Sequence, residues 1–289
     1  MALRVMTLVV LAWCLLAAPA RALDPVKDFQ HYVRDNWSVP EGLPQISALS
    51  IAQTPDGYIW AGTQAGLSRF DGVGFTTFTP SKEPALRHLF VRALAVDPDG
   101  ALWIGTYAGL AVYRDGRFEE VPWTGAGDAP LVSTIRIAAD GSAWATTTAG
   151  IAFVRDGRLH PLEGAGPSRA LAFTPDGQMW TADASGGVQR WDGTAWFPTH
   201  SADGTPTAAQ DLLVAGDTVW AATASGLQVH GRGGWRPVAG ASGSHAMALR
   251  FVFRDGDGNI WAGGDRGLVR VRPDGTVEHV RATPTNGLA

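Results

Sequence analysis

An all-β fold is what this sequence predicts, and three observations carry the prediction. The stretch DGYIWAGTQAGLSRFDG at residues 56–72 sets a tryptophan and short apolar runs between two Asp-Gly pairs. Asp-Gly between alternating apolar residues is a strong signal for a tight turn joining two strands, because glycine takes the positive φ such turns need. The same pattern returns five more times along the chain. Glycine (36 residues) and tryptophan (12 residues) are both abundant in the 289-residue chain, a composition that suits glycine-punctuated strands and works against long helices.

The later copies are DGALWIGTYAGLAVYRDG from Asp99, DGSAWATTTAGIAFVRDG from Asp140, DGQMWTADASGGVQRWDG from Asp176, GDTVWAATASGLQVHGRG from Gly216 and DGNIWAGGDRGLVRVRPDG from Asp257. Their tryptophans, Trp60, Trp103, Trp144, Trp180, Trp220 and Trp261, are spaced 43, 41, 36, 40 and 41 residues apart. Such a period marks a repeat architecture. In the first copy the pattern predicts strands at 48–53, 58–62, 67–70 and 75–78, with turns between them. A lone four-stranded sheet leaves both faces in water, so such sheets must stack face to face around an axis, as the blades of a β-propeller. The repeats are expected at about 45–80, 88–122, 131–163, 167–199, 208–239 and 245–281. One tryptophan at the same place in each second strand is expected to fill the wedge between blades, each burying roughly 150–250 Å². Rotational symmetry spreads them around a ring, which does not suit an aromatic cage.

The chain ends frame this domain. Residues 1–22 carry a basic start at Arg4, a 15-residue apolar run from Val5 to Pro19 and Ala20-Arg21-Ala22, the pattern of a secretory signal peptide cleaved after Ala22. The run is short of the roughly 20 residues needed to span a bilayer. Residues 23–289 then form the propeller domain, with a periplasmic or otherwise exported location expected. The single cysteine, Cys14, lies in the leader, so the mature chain has no thiol for disulfides, nucleophilic catalysis or metal binding. The net charge of −4 becomes −6 without Arg4 and Arg21, and no basic footprint for nucleic acid is present. The segment 29–37, containing HYVRDNW, resembles the fourth strand of a blade, and the chain stops at Asn286-Gly287-Leu288, where a seventh copy would begin. Six repeats of a seven-bladed ring and a truncated gene product are therefore expected, the alternative being a six-bladed ring with a spare strand.

NWSVPEGLPQISALSIAQTPDGYIWAGTQAGLSRFDGVGF at 36–75 and LWIGTYAGLAVYRDGRF from Leu102 resemble the two-component regulator propeller repeat. That family builds periplasmic sensor domains placed ahead of a transmembrane helix and a cytoplasmic diguanylate cyclase or histidine kinase. The resemblance spans the mature chain and is most specific in copies one, two and six. Copies three to five depart from it, with Thr146-Thr147 and Ala182-Asp183 where the family has Gly-Thr, and an altered turn in copy five. It implies a non-catalytic ligand-sensing module that acts on a membrane-linked effector, with no effector domain in this chain.

Motifs for chemistry are sparse. The seven histidines (His31, His88, His160, His200, His230, His245 and His279) include no HExxH pair, and neither a GxSxG elbow nor a GxxxxGK[ST] phosphate loop occurs. Asp255-Gly256-Asp257-Gly258-Asn259 has calcium-loop residues but lacks the glycine and glutamate such a loop requires. It aligns with the Asp-Gly turns and is expected to be one of them. No metal or cofactor is expected. The alternative function, a lyase- or lactonase-type propeller enzyme, would need a histidine or carboxylate breaking the repeat on the channel face, for which His245 is the one candidate.

Binding residues are better indicated. Seven positions before the Asp of the first turn stand Arg92, Arg169 and Arg250, with Arg136 near that position in copy three and Leu49 there in copy one. First strands lie nearest a propeller's axis, so these arginines are expected to meet at the channel mouth and bind a carboxylate or phosphate. The loops between second and third strands should open on the same face. They contribute Gln64, Tyr107, Thr148, Ser185, Ser225, Asp265 and Arg266, variable residues on a repeated frame. The expected partner is an anionic small molecule or a protein ligand.

Overall fold

The strands form where apolar residues alternate between turn signals, and they assemble into six four-stranded antiparallel sheets. The computed structural model describes residues 37–200, 207–231, 233–242 and 247–281. The leader at 1–22, residues 29–36 of the expected N-terminal strand, His31, His245 and the C-terminal stretch 282–289 lie outside the described residues. Blades 1 to 6 cover residues 48–78, 91–121, 132–161, 168–198, 209–242 and 251–281. In blade 1 the strands are Ala48–Gln53, Ile59–Thr63, Gly66–Phe70 and Phe75–Phe78, within a residue of the spans predicted from the turns. Among the described residues there is no α-helix; a short 3-10 turn at Pro84–Leu86 links blades 1 and 2.

First strands form the inner layer, each packing beside the first strand of the next blade from blade 1 through blade 6. Five apolar clusters fill the five wedges between consecutive blades, and each contains the second-strand tryptophan of the earlier blade against apolar residues of the later one. Trp60 meets Leu102 and Ile104, Trp103 meets Val132 and Ile135, and Trp180 meets Leu212 and Trp235. Five of the six repeat tryptophans thus lie in a wedge against a following blade, and Trp261 of blade 6 has no following blade among the described residues.

In five of the six repeat tryptophans a side chain of the same blade holds the indole N–H, whereas Trp180 Nε1 is buried without a partner among the described residues. Trp60 Nε1 donates to Thr54 Oγ1 at 3.0 Å, Trp103 Nε1 to Asp97 Oδ2 at 2.9 Å and Trp261 Nε1 to Asp255 Oδ2 at 2.7 Å. The corresponding residue is alanine in blades 3 and 5, Ala138 and Ala215, so Trp144 and Trp220 turn to Ser142 and Thr218 instead. These are the two tryptophans left half-buried.

The Gly-Thr after the tryptophan has two separate jobs. A Cβ on Gly62 or Gly105 would meet Val91 Cγ1 at 2.8 Å or Val132 Cγ1 at 2.6 Å, so glycine is what lets the next inner strand approach. Blades 4 and 5 carry Ser168 and Ala209 at the register position of those valines. The smaller residues make room for Thr146 and Ala182, which explains why copies three and four can depart from the repeat. The threonine hydroxyls of Thr63, Thr106, Thr147 and Thr223 donate to the carbonyls of Gly66, Gly109, Gly150 and Gly226, closing the second turn.

Blades 1 and 6 leave their outward wedge faces open. Ile51 is 68% exposed, whereas Ile135, Leu171, Leu212 and Val252 at the same place in blades 3 to 6 are 4% exposed or less. Phe253 of blade 6 is also exposed. Ile51 and Phe253 are therefore left uncovered by the other described blades at this seam. Leu212→Ala should cost about 2–5 kcal/mol, the range for a fully buried leucine, whereas Ile51→Ala should stay within about 0.5 kcal/mol. Denaturant melts of the two variants measure the contrast.

Candidate functional site

Five of the six inner strands begin with the same arrangement. In blades 1 to 5 the register with the second strand slips by one residue, leaving Leu49, Arg92, Ser133, Arg169 and Gln210 as the extra residue of a β-bulge. Arg250 holds the corresponding place in blade 6, its N–H donating to the Gly263 carbonyl at 2.7 Å. A bulged residue is released from the ladder and its side chain re-aimed. Arginine therefore stands at this position in blades 2, 4 and 6, alternating with Leu49, Ser133 and Gln210.

Arg92, Arg136, Arg169 and Arg250 line one cavity of about 280 Å³ at the inner strands, together with Gln210 and Asp211. The arginines singled out by sequence spacing are brought together. Arg136 is not the bulge residue of blade 3, however; Ser133 is. Arg136 sits three residues further along, opposite Trp144, and reaches the cavity from a deeper level.

Arg136 Nη2 donates to Asp211 Oδ1 at 2.9 Å, joining blade 3 to blade 5 past the intervening blade. The other Asp211 oxygen accepts the Val252 N–H of blade 6 at 3.0 Å, and Oδ1 also accepts the Leu212 N–H at 2.9 Å. Asp211 is thus a tie between three blades. Burial pushes its carboxyl above the ordinary value of 3.8, with Arg136 and the backbone donors offsetting part of that effect. Arg169 donates through Nε to the Ala184 carbonyl at 2.7 Å and through Nη1 to Gln210 Oε1 at 3.2 Å. Arg250 pairs with Asp265 at 2.7 Å, both side chains well exposed, an arrangement worth about 0–1 kcal/mol. Among the described residues Arg92 has no hydrogen-bond or ion-pair partner. Gln210 and Asp211 were not foreseen from the sequence. The available signal was an aspartate standing outside any Asp-Gly turn.

The second-to-third-strand turns share this face. The Tyr107 N–H donates to the Phe90 carbonyl and the Thr148 N–H to the Leu131 carbonyl, beside the starts of the inner strands that follow. Gln64, Tyr107, Asp265 and Arg266 are exposed there but do not line the cavity. Tyr107 stacks on Phe90, ring centroids 4.0 Å apart, and Asp265 touches the arginine set through Arg250. The Asp255–Asn259 stretch is a turn: Asp255 accepts the N–H groups of Asp257 and Asn259 while holding Trp261. No group of three or more metal-ligating side chains occurs among the described residues.

Sulfate, whose own charge stays constant over the range, should bind the native protein more tightly as pH falls through the raised value of Asp211. Protonation removes the carboxylate that neutralises Arg136. Asp211→Asn should raise sulfate affinity at neutral pH on the order of fivefold, about 1 kcal/mol, and abolish the rise at low pH. Calorimetric titrations over a pH series check both.

Comparison with known proteins places the repeat. The family model described as "Two component regulator propeller" matches residues 42–65 and 85–108, in the first two repeats. Curated proteins yield no match. Among solved structures, the extracellular domain of a hybrid two component system from B. thetaiotaomicron aligns with a TM-score of 0.69 at 18% identity over 81% of this chain and 34% of that one. A second such domain from the same organism gives 0.64 at 21% identity, over 84% and 34%. Virginiamycin B lyase from Staphylococcus aureus gives 0.63 at 13% identity, over 83% and 86%. At these identities the likeness is one of fold, and the chain spans about a third of the two-component structures it matches.

Proposed function

We propose that this chain, which carries two component regulator propeller repeats, is an exported ligand-sensing module whose receptor site is the channel mouth and whose ligand is a small anion. The observation that carries the reading is the placement of Arg92, Arg169 and Arg250 on equivalent positions of alternate blades, around one cavity. Guanidinium groups held by a rigid scaffold present paired donors that match a carboxylate, phosphate or sulfate. Arg136 forms the floor, with its charge partly used by Asp211.

A ligand bound here bridges blades that share few direct contacts. The span from Arg250 in blade 6 to Arg92 in blade 2 crosses the open seam beside blade 1. An anion held by both arginines has different affinities for a wider and a narrower seam, and that difference is what allows binding to shift a conformational equilibrium. In this reading the leader at 1–22 exports the domain, and the bound state is reported to a membrane-linked diguanylate cyclase or histidine kinase. The extracellular domains of hybrid two component systems that share the fold support it.

A lyase-type reaction in the channel has less support. Among the described residues Asp211 is the one carboxylate lining the cavity, and both of its oxygens already accept hydrogen bonds, which leaves it poorly placed as a general base. The Arg92→Ala, Arg169→Ala double variant should lose sulfate affinity by at least about tenfold, the scale of one charge-assisted contact. Its thermal midpoint should stay at the native value, since both side chains are exposed. Unchanged affinity by calorimetry would sink this reading.

A further inference from the structure

The wedge between blades 5 and 6 contains a groove of about 390 Å³ on the face opposite the channel mouth, where the first turns of the blades lie. Trp220 forms one wall, and Ile260, Val271 and Pro273 form the other. Its origin lies in comparison with the wedge between blades 3 and 4. There Trp144 packs in a cluster with Phe173, Trp191 and Trp196, and its ring centroid lies 5.4 Å from that of Phe173. Strand register makes Phe173, Trp191 and Trp196 the counterparts of Arg254, Val271 and Val277. Three aromatic side chains are thus replaced by an arginine and two valines, next to a tryptophan in the same position.

From this we propose that the groove beside Trp220 is a second small-molecule site, and that its ligand is a flat aromatic carboxylate. The ring takes the space that Phe173 and Trp191 fill in the earlier wedge, stacked on or edge-on to Trp220. The carboxylate meets the Arg254 guanidinium, which is exposed and has no hydrogen-bond or ion-pair partner among the described residues. Ala215 and Gly258 at the lip leave the way in open. Arg272 also lines the groove, its guanidinium paired with Glu278, and a largely apolar pocket with a few convergent charged groups is the usual form of a small-ligand site. This site is separate from the arginines at the channel mouth and does not depend on their role.

Phenylacetate and indole-3-acetate serve as probes, with indole-3-ethanol as the uncharged analogue, followed by calorimetry and by the shift of the Trp220 indole N–H in nitrogen-15 spectra. Native protein should bind both acids saturably in the millimolar range or tighter and shift the Trp220 signal. Arg254→Gln should weaken the acids about tenfold and leave the uncharged analogue unaffected. Val271→Trp, which restores the filler of the earlier wedge, should abolish binding of all three. Arg92→Ala with Arg169→Ala should change none of these results, so the two sites fail or stand separately. No saturable binding to the native protein, or acid binding unaltered by Arg254→Gln, overturns the proposal. Arg254 is exposed, so that variant folds and keeps the test decisive even if the larger tryptophan perturbs the wedge.

Discussion

Everything in this molecule depends on the packing of one blade's tryptophan against the next blade. A four-stranded blade has two faces and no core of its own, so its apolar side chains are buried only when a neighbour covers them. The second-strand tryptophan takes part in that burial in every wedge, and its N–H is met within its own blade in all copies but the fourth, where Trp180 Nε1 is buried without a partner among the described residues. Thr54, Asp97 and Asp255 meet it from the end of the first strand. The repeat length follows from this geometry, since each copy must return a tryptophan to the same height in the wedge. Ile51 shows the converse: where no described blade covers the face, a residue that is core in its counterparts lies in water.

The strands and the wedge role of tryptophan were legible in the sequence because both depend on local pattern. Alternation gave the strands, Asp-Gly gave the turns, and a 40-residue spacing gave the stacking. The site was legible in part. Counting back from the turn found Arg92, Arg169 and Arg250, because each stands one residue before the strand partner of the residue two places after the tryptophan, at Gly105, Ala182 and Gly263. The same count falls on Ser133 in blade 3, and proximity in sequence drew attention to Arg136 instead. Arg136 joins the site through a cross-channel pair with Asp211, and a contact between blades 3 and 5 has no signature along the chain. The groove beside Trp220 was hidden for a different reason. Arg254 and Val271 look unremarkable until strand register aligns them with Phe173 and Trp191.

The bulge explains how a binding site can change without cost to the frame. Residues in the ladder answer to the wedge: Thr134 and Ala170 are followed by Ile135 and Leu171, which pack against the neighbouring blade, and a charge there would be buried. The bulged position is excluded from that alternation and faces the channel. It accepts leucine, arginine, serine or glutamine in successive blades of this chain. Channel lining and wedge packing are thereby assigned to adjacent residues of one strand with little competition between them.

Charge balance at the axis follows from the same separation. Four arginines around a small cavity repel one another, and a scaffold with net negative charge does not neutralise them locally at a distance beyond the Debye length of about 8 Å. Asp211 relieves that repulsion from within the ladder, where it is costly to bury and must be held by Arg136, Leu212 N–H and Val252 N–H together. Asp211 on Arg136 and the exposed Asp265 on Arg250 still leave a positive excess among the four guanidiniums at the mouth. Adding a second aspartate would stabilise the empty site and weaken its attraction for anions, and removing Asp211 would do the reverse while cutting the tie between blades 3, 5 and 6. The arrangement that persists is the one in which the inner strands are held by a single buried carboxylate and the remaining positive charge faces the channel mouth.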